Sequence, residues 1–282
     1  MKFSCPETGV IFNIDKSDKN ETAPKSYHFN NGVHSILSEE LNKLLAEYIP
    51  AFEKYREPYL KSISSDDFRD LPYVNFDKAT WKLRQYDLEL VQSLMPAKRN
   101  KILEIGAWTG WLSHHLAKEN DLLALDYFTH ELDGLAAKKF YSEDWLTVQM
   151  DLENFSIIQE KFDLIVVNRA CSYFTDLNRS LEQIKTLLKP NGKIVLLGIC
   201  YYSNTVQAKQ RLTDLQVDFE QKSGIPFFFK TYKGLIDSDE LFVIKNASFE
   251  IKNYSQLRFK SFINKFRKNK PEYLYATWQK RC

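Results

Sequence analysis

Three carboxylates at apparent strand ends, an amide and a glycine turn are the residues whose types and spacing suit chemistry. The turn lies in Lys101-Ile-Leu-Glu-Ile-Gly-Ala-Trp-Thr-Gly-Trp-Leu-Ser-His-His-Leu-Ala117, where Glu104, Gly106 and Gly110 set the pattern Glu-x-Gly-x-x-x-Gly. It reads as a short buried strand, a tight turn and the start of a helix. Such a turn brings backbone close to a ligand and aims the helix's free N–H groups at it. An acidic side chain at the strand tip suits a cationic group on that ligand. Asp126 closes Leu122-Leu-Ala-Leu-Asp126, 22 residues after Glu104. A carboxylate there can accept both ribose hydroxyls of an adenosine. Asp151, in Val148-Gln-Met-Asp-Leu152, stands at a third strand end and could accept from an adenine amino group. Phe162-Asp-Leu-Ile-Val-Val-Asn168 empties into Arg169-Ala-Cys-Ser-Tyr173, which sets Asn168 and Tyr173 beside the reacting centre. Singly, each feature is commonplace, because an Asp after an apolar run is more often a helix cap. Their order is what carries weight.

These tips converge only if their strands share one parallel sheet. Strand-like runs at Lys101–Ile105, Asp121–Leu125, Leu146–Met150, Phe162–Val167 and Lys193–Leu197 alternate with helical segments Trp111–Lys118, Asp133–Tyr141 and Leu177–Leu188. Short apolar strands alternating with helices predict an α/β fold with helices on both sheet faces. Lys189-Pro-Asn-Gly192 reads as the turn delivering the last helix into the fifth strand. Two further strands are expected at Phe249–Tyr254 and Tyr273–Trp278, with an amphipathic helix over Leu257–Lys268 whose outer surface is basic. Upstream, Leu37, Leu41, Leu44, Tyr48, Phe52 and Tyr55 recur at helical steps from Ser38, with Pro50 kinking that helix or starting a second one. Another helix runs over Phe76–Leu94 and ends at Pro96. The expected division is a mostly helical extension or cap over 1–96 and a catalytic domain over 97–282.

The glycine turn and the ordered strand tips resemble the class I S-adenosylmethionine (AdoMet) methyltransferases, closely over about residues 100–200 and loosely over 76–280. The resemblance implies a Rossmann-like, mainly parallel seven-stranded sheet flanked by helices. It also implies AdoMet as cofactor, with S-adenosylhomocysteine as product. Glu104 would contact the methionine amino group, Gly106, Ala107 and Gly110 would line methionine and ribose, Asp126 would hold the ribose, and Tyr127 would also contact the cofactor. Asp151 and Leu152 would frame the adenine, and Asn168 would complete the pocket. Gly110-Trp-Leu-Ser113, Leu125-Asp126 and Asp133-Gly-Leu-Ala136 further resemble an uncharacterised bacterial subgroup in which a Trp-x-x-Arg, here Trp81 and Arg84, precedes the glycine turn. Arg84 either pairs with the cofactor carboxylate or is an ordinary solvated helix charge. One departure stands out: the usual middle glycine is Trp108, whose side chain either narrows the pocket or points away.

Composition narrows the rest. With 282 residues, 44% hydrophobic and 27% charged, the chain suits a soluble globular enzyme. A net charge of +2 gives no global pull towards nucleic acid or an anionic membrane. Cys5, Cys171, Cys200 and Cys282 are scattered without metal-ligand spacing, which fits reduced thiols in the cytoplasm, and no apolar run approaches a membrane span. His114, His115 and Glu119 lack a third ligand, so no metal is expected. The reading is methyl transfer by in-line displacement to a small-molecule acceptor, with Asn168 and Tyr173 nearest the methyl and no base assigned. Alternatives are an RNA methyltransferase using the basic C-terminal helix and a non-catalytic AdoMet-fold binding protein. An NAD(P) oxidoreductase fits less well, because Trp108 and Trp111 replace the second and third glycines of its fingerprint.

Overall fold

Side chains alternate between two cores along the central strands, and that alternation builds the molecule. In Ile102-Leu-Glu-Ile105, Ile102 packs into one cluster and Leu103 and Ile105 into the other. The computed structural model describes residues 1–15, 24–25, 27–60, 64, 66–74, 76–95, 99–257 and 271–280. The N-terminal part holds strands β1 (Lys2–Ser4), β2 (Ile11–Asn13), β3 (Tyr27–Asn30) and β4 (Val33–Ile36), then helices α1 (Glu39–Leu60), α2 (Asp67–Asp70) and α3 (Lys78–Leu94). There follow β5 (Lys101–Ile105), α4 (Trp111–Ala117), β6 (Asp121–Asp126), β7 (Leu146–Met150), β8 (Phe162–Asn168), α5 (Leu177–Thr186) and β9 (Leu188–Tyr201). The described chain ends with α6 (Val206–Ser223), α7 (Ser238–Asn246), β10 (Glu250–Asn253) and β11 (Glu272–Gln279).

The main sheet has the order β10-β11-β9-β8-β5-β6-β7-β4-β3. Strands β4 to β9 run parallel to one another wherever they pair among themselves, while β3, β10 and β11 are antiparallel additions at the edges. This is the Rossmann-like α/β fold. Helices α1, α5 and α7 supply Leu41, Leu45, Leu181 and Ile244 to one core. Helices α3 and α4 supply Trp81, Leu88, Val91, Trp111 and Leu112 to the other.

Several local expectations need correction. The sheet has nine strands, not seven, because β4 pairs in parallel with β7 through His34↔Val148 and Ile36↔Met150 and brings β3 with it. An uncovered β7 would present an open ladder, and four residues of the N-terminal stretch close it. The extension is therefore part sheet and part helix, with a separate β1–β2 hairpin whose Phe3 and Phe12 are buried. Helix α1 continues through both Pro50 and Pro58. The helix expected at Asp133–Tyr141 is a 3-10 helix over Leu135–Phe140. Lys189–Gly192 is absorbed into β9 as a bulge, since Phe162 pairs with Leu188 and Leu164 already with Lys193. The 258–268 part of the expected basic helix and Pro96 lie outside the described residues.

Candidate active site

Strands β5 and β8 lie side by side, and the chain leaves β5 towards β6 on the opposite flank. The crevice beyond their carboxyl ends is the topological switch point, where open α/β sheets bind ligands. Glu104, near the end of β5, is fully buried and receives hydrogen bonds from Ser113 Oγ of α4 at 2.6 Å and from Asn168 Nδ2 at 2.8 Å. Burial pushes its carboxyl up to about 7, and the bonds from Ser113 and Asn168 pull the other way.

The turn after β5 is tied to β6. The N–H groups of Gly106 and Ala107 both donate to Leu125 O, at 2.9 and 3.0 Å. Gly106 has φ +79, and a Cβ there would stand 2.9 Å from Asn168 O and 3.0 Å from the Ala170 Cβ. Trp108 adopts φ +50, the conformation a glycine would take freely. Its backbone N–H donates to Asp126 Oδ2 at 2.7 Å, while Tyr127 and Phe128 donate to Oδ1 at 2.7 and 3.1 Å. A carboxylate offers about four lone-pair sites, so Asp126 retains roughly one, on Oδ2. Burial pushes Asp126 up to about 6 despite these three bonds.

The Trp108 ring is a wall of the site. It stacks on Trp81 with centroids 6.3 Å apart, and its Nε1 donates to Asp133 at 2.6 Å. Asp133 also accepts Arg56 Nε and Nη2, at 2.8 and 2.9 Å, which ties the glycine turn to α1.

Above the strand tips lies a cavity of about 480 Å³, within the usual range for small-molecule sites. Phe52, Arg56 and Tyr59 of α1 line it with Arg84 of α3 and with Phe229 and Tyr232 from the segment between α6 and α7. Among the sequence candidates, Arg84, Gly106, Asp126, Tyr127, Leu152, Asn168 and Tyr173 line it too. Glu104 sits behind Asn168, and Ala107 is buried in the core beside α4. Gly110 caps α4 in the left-handed region, with Trp145 Cζ2 2.8 Å from where a Cβ would be. Asp151 does not line the cavity; it accepts Tyr127 OH at 2.7 Å and pairs with Lys230 at 2.6 Å.

Three lining residues carry groups that lack partners. Arg84 Nε and Nη1, Asn168 Oδ1 and the Tyr232 hydroxyl are buried with no hydrogen bond. The Arg84 guanidinium stacks 4.6 Å from the Trp81 ring and 5.6 Å from the Trp108 ring. Desolvation, with neighbouring Arg169, lowers it to about 10, so it stays cationic at neutral pH.

Arg56, Asp133 and Arg169 line the cavity without having been assigned a role from the sequence, and Lys230 stands behind it on Asp151. Asp133 carried a signal, standing before a Gly-Leu pair, but nothing local marks its partner 77 positions away. Among the described residues no three His, Cys, Asp or Glu side chains stand together as a metal site, and no helix is long and apolar enough to cross a membrane.

Comparison with known proteins bears on the fold that carries this cavity. A family model described as a methyltransferase domain matches residues 103–194, from β5 into β9. The chain is 29% identical over 177 residues to the non-reducing polyketide synthase ausA of Emericella nidulans, covering 59% of this chain but 7% of the synthase. It is 31% identical over 97 residues to the malonyl-(acyl-carrier protein) O-methyltransferase of Priestia megaterium, covering 33% of this chain and 35% of that one. The chain thus spans a small part of the curated relatives it matches. Among solved structures, the Haloferax volcanii complex of the Trm112 methyltransferase activator with a methyltransferase gives a TM-score of 0.52 at 14% identity, covering 73% of this chain and 93% of that one. Residues 103–194 therefore form a segment similar to methyltransferase domains, set in the α/β fold that such proteins share.

Proposed function

We propose that the cavity binds AdoMet and that the chain transfers its methyl group to a small-molecule acceptor. The observation carrying this reading is the pair of unpartnered groups, Arg84 Nε/Nη1 and Asn168 Oδ1, in the cavity that Asp126 also lines. A buried guanidinium and a buried carbonyl oxygen match the carboxylate and ammonium of one amino acid, and a strand-tip carboxylate matches a ribose. When bound, AdoMet supplies a sulfonium methyl displaced in line, the C–S electron pair staying on sulfur to give S-adenosylhomocysteine.

The chain's own residues bind and orient. Asn168 Oδ1 receives the ammonium, with the Glu104 charge behind it. Arg84 receives the carboxylate, and Gly106 lets the backbone approach. Ala107 and Gly110 shape the turn and α4. Asp126 accepts a ribose hydroxyl, and Tyr127 with Leu152 frames the adenine. Asp151 acts through Tyr127, whose hydroxyl it holds. Tyr173 and Asn168 flank the acceptor side, and no general base is assigned; alignment and a low-dielectric site do the work. Residues 1–96 serve as the cap through α1 and α3, over a catalytic domain of 97–282. The reading keeps the likeness to the bacterial subgroup; of the residues that carry it, Arg84 stacks on Trp81 and Asp133 accepts Trp108 Nε1. We place the reaction in the cytoplasm.

Calorimetric titration with S-adenosylhomocysteine tests the reading: micromolar one-site binding is expected, and no binding by folded protein refutes it. Arg84→Met should weaken S-adenosylhomocysteine about tenfold or more, the scale of a lost charged hydrogen bond. The same variant should leave 5′-methylthioadenosine, which lacks the amino-acid end, unchanged. Equal loss for both ligands would place Arg84 elsewhere.

Affinity should also depend on pH. Binding an ammonium favours ionised Glu104, whose carboxyl stands at about 7. The bound complex therefore holds fewer protons on Glu104 than the free protein, and affinity rises with pH up to that value. From pH 6 to pH 8 the gain should be about tenfold and then level off. Glu104→Gln, neutral throughout, should remove most of the slope, leaving about the twofold that Asp126, pushed up to about 6, contributes over the same range.

A further inference from the structure

Arg169 follows Asn168 at the tip of β8, lines the cavity and holds a left-handed backbone with φ +59. It is anchored from behind. Asp87 of α3, fully buried, accepts Arg169 Nη1 at 3.3 Å, Tyr273 OH at 2.7 Å and Tyr254 OH. Nη1 also donates to Tyr273 OH. Among the described residues, Nε and Nη2 make no hydrogen bond. A guanidinium serving only to staple β8 to α3 would set its fork two-on-two against the carboxylate. Here one nitrogen is held and a quarter of the side chain stays exposed.

The three cavity arginines divide by partner. Arg56 is taken up bidentately by Asp133. Arg84 is assigned to the single carboxylate that the cofactor carries. Arg169 is then a second cation with donors to spare, and the rings of Phe52, Tyr59, Tyr173, Phe229 and Tyr232 share its cavity. Aromatic walls take up flat apolar bodies, and a guanidinium in low dielectric takes up an anion.

We propose that the methyl acceptor is a small aromatic carboxylate whose charge is received by Arg169 and whose ring lies among the cavity's aromatic side chains. This rests on the methyltransferase reading above. Arg169 is then the residue that sets acceptor specificity, and the buried Asp87 and Tyr273 are positioning residues acting through it.

The test uses full-length protein saturated with S-adenosylhomocysteine, with benzoate, benzamide and propionate as probes read by saturation-transfer NMR. Benzoate should bind at least tenfold tighter than benzamide, which keeps the ring without the charge, and than propionate, which keeps the charge without the ring. Equal binding of benzamide would overturn the anion half, and equal binding of propionate the aromatic half. Arg169→Gln should bring benzoate down to the benzamide level while S-adenosylhomocysteine affinity stays within twofold. Because that variant leaves Asp87 buried and unpaired, the double variant Asp87→Asn/Arg169→Gln is measured beside it and should give the same result. Benzoate binding unchanged in either variant would overturn the assignment to Arg169. Failure of S-adenosylhomocysteine to bind sinks the methyltransferase reading and the proposal with it. Binding of that ligand with no preference for benzoate sinks the proposal alone.

Discussion

Gly106→Val should bring S-adenosylhomocysteine binding below detection, a loss of at least about a hundredfold, or roughly 2.7 kcal/mol. Two effects act at this position. Its φ of +79 lies where a β-branched residue is strained. Its missing Cβ also leaves the tips of β5 and β8 in contact, at 2.9 Å from Asn168 O and 3.0 Å from Ala170 Cβ. A valine must push those tips apart, displacing Asn168 and its bond to Glu104. Strain of this kind costs about 1–3 kcal/mol, so the melting temperature should fall by several degrees while the far-ultraviolet circular dichroism of the fold persists. Gly224→Ala separates strain from occlusion. Gly224 caps α6 at φ +76 with nothing within 4 Å of its Cβ position. That variant should share the loss of stability and keep full affinity. If Gly106→Val still binds, the glycine turn is not part of the site.

Legibility in the sequence followed the physics of each signal. Strand β5, the α4 start and the tip of β6 could be placed almost to the residue, because short apolar runs buried on both faces end at a glycine or a carboxylate. The pocket-lining positions of Gly106, Asp126, Leu152 and Asn168 follow from strand ends, which are local features. Long-range pairing left no such trace. Strand β4 has four residues, and its place beside β7 rests on hydrogen bonds across 114 positions, such as Ser35 Oγ to Gln149. Helix α6 hides for another reason: Phe219 is its single fully buried side chain, so no apolar stripe repeats. Asp151 shows the limit of motif transfer. A carboxylate at a strand end was legible, but its engagement by Lys230 came from a lysine 79 positions downstream. Trp108 is the reverse case. A departure from the glycine pattern in sequence proves compatible in backbone, since residue 108 takes the positive φ and its ring turns to Trp81 and Asp133.

Asp126→Ala should weaken S-adenosylhomocysteine at least tenfold, about 1.4 kcal/mol, and should also lower the melting temperature. The second effect follows from what the carboxylate already holds. Removing it leaves the N–H groups of Trp108, Tyr127 and Phe128 without their acceptor, and each buried orphan costs about 1–3 kcal/mol. Lost affinity alone would therefore not distinguish a ribose contact from a collapsed turn. Deoxy analogues do. With roughly one lone-pair site remaining on Asp126, a single ribose hydroxyl can bond strongly. In the wild-type protein one of the 2′-deoxy and 3′-deoxy analogues should bind markedly more weakly than S-adenosylhomocysteine, and the other nearly as well. In Asp126→Ala that difference should vanish, because the partner of the discriminating hydroxyl is gone. Persistence of the same difference in the variant would show that another residue holds the ribose. It would leave Asp126 as the brace joining the glycine turn after β5 to the tip of β6. Asp126→Asn supplies the intermediate case: its amide oxygen can still receive the N–H groups of Tyr127 and Phe128, or that of Trp108, but its NH2 opposes the remainder. Stability should recover in part, and discrimination between the two analogues should stay weak.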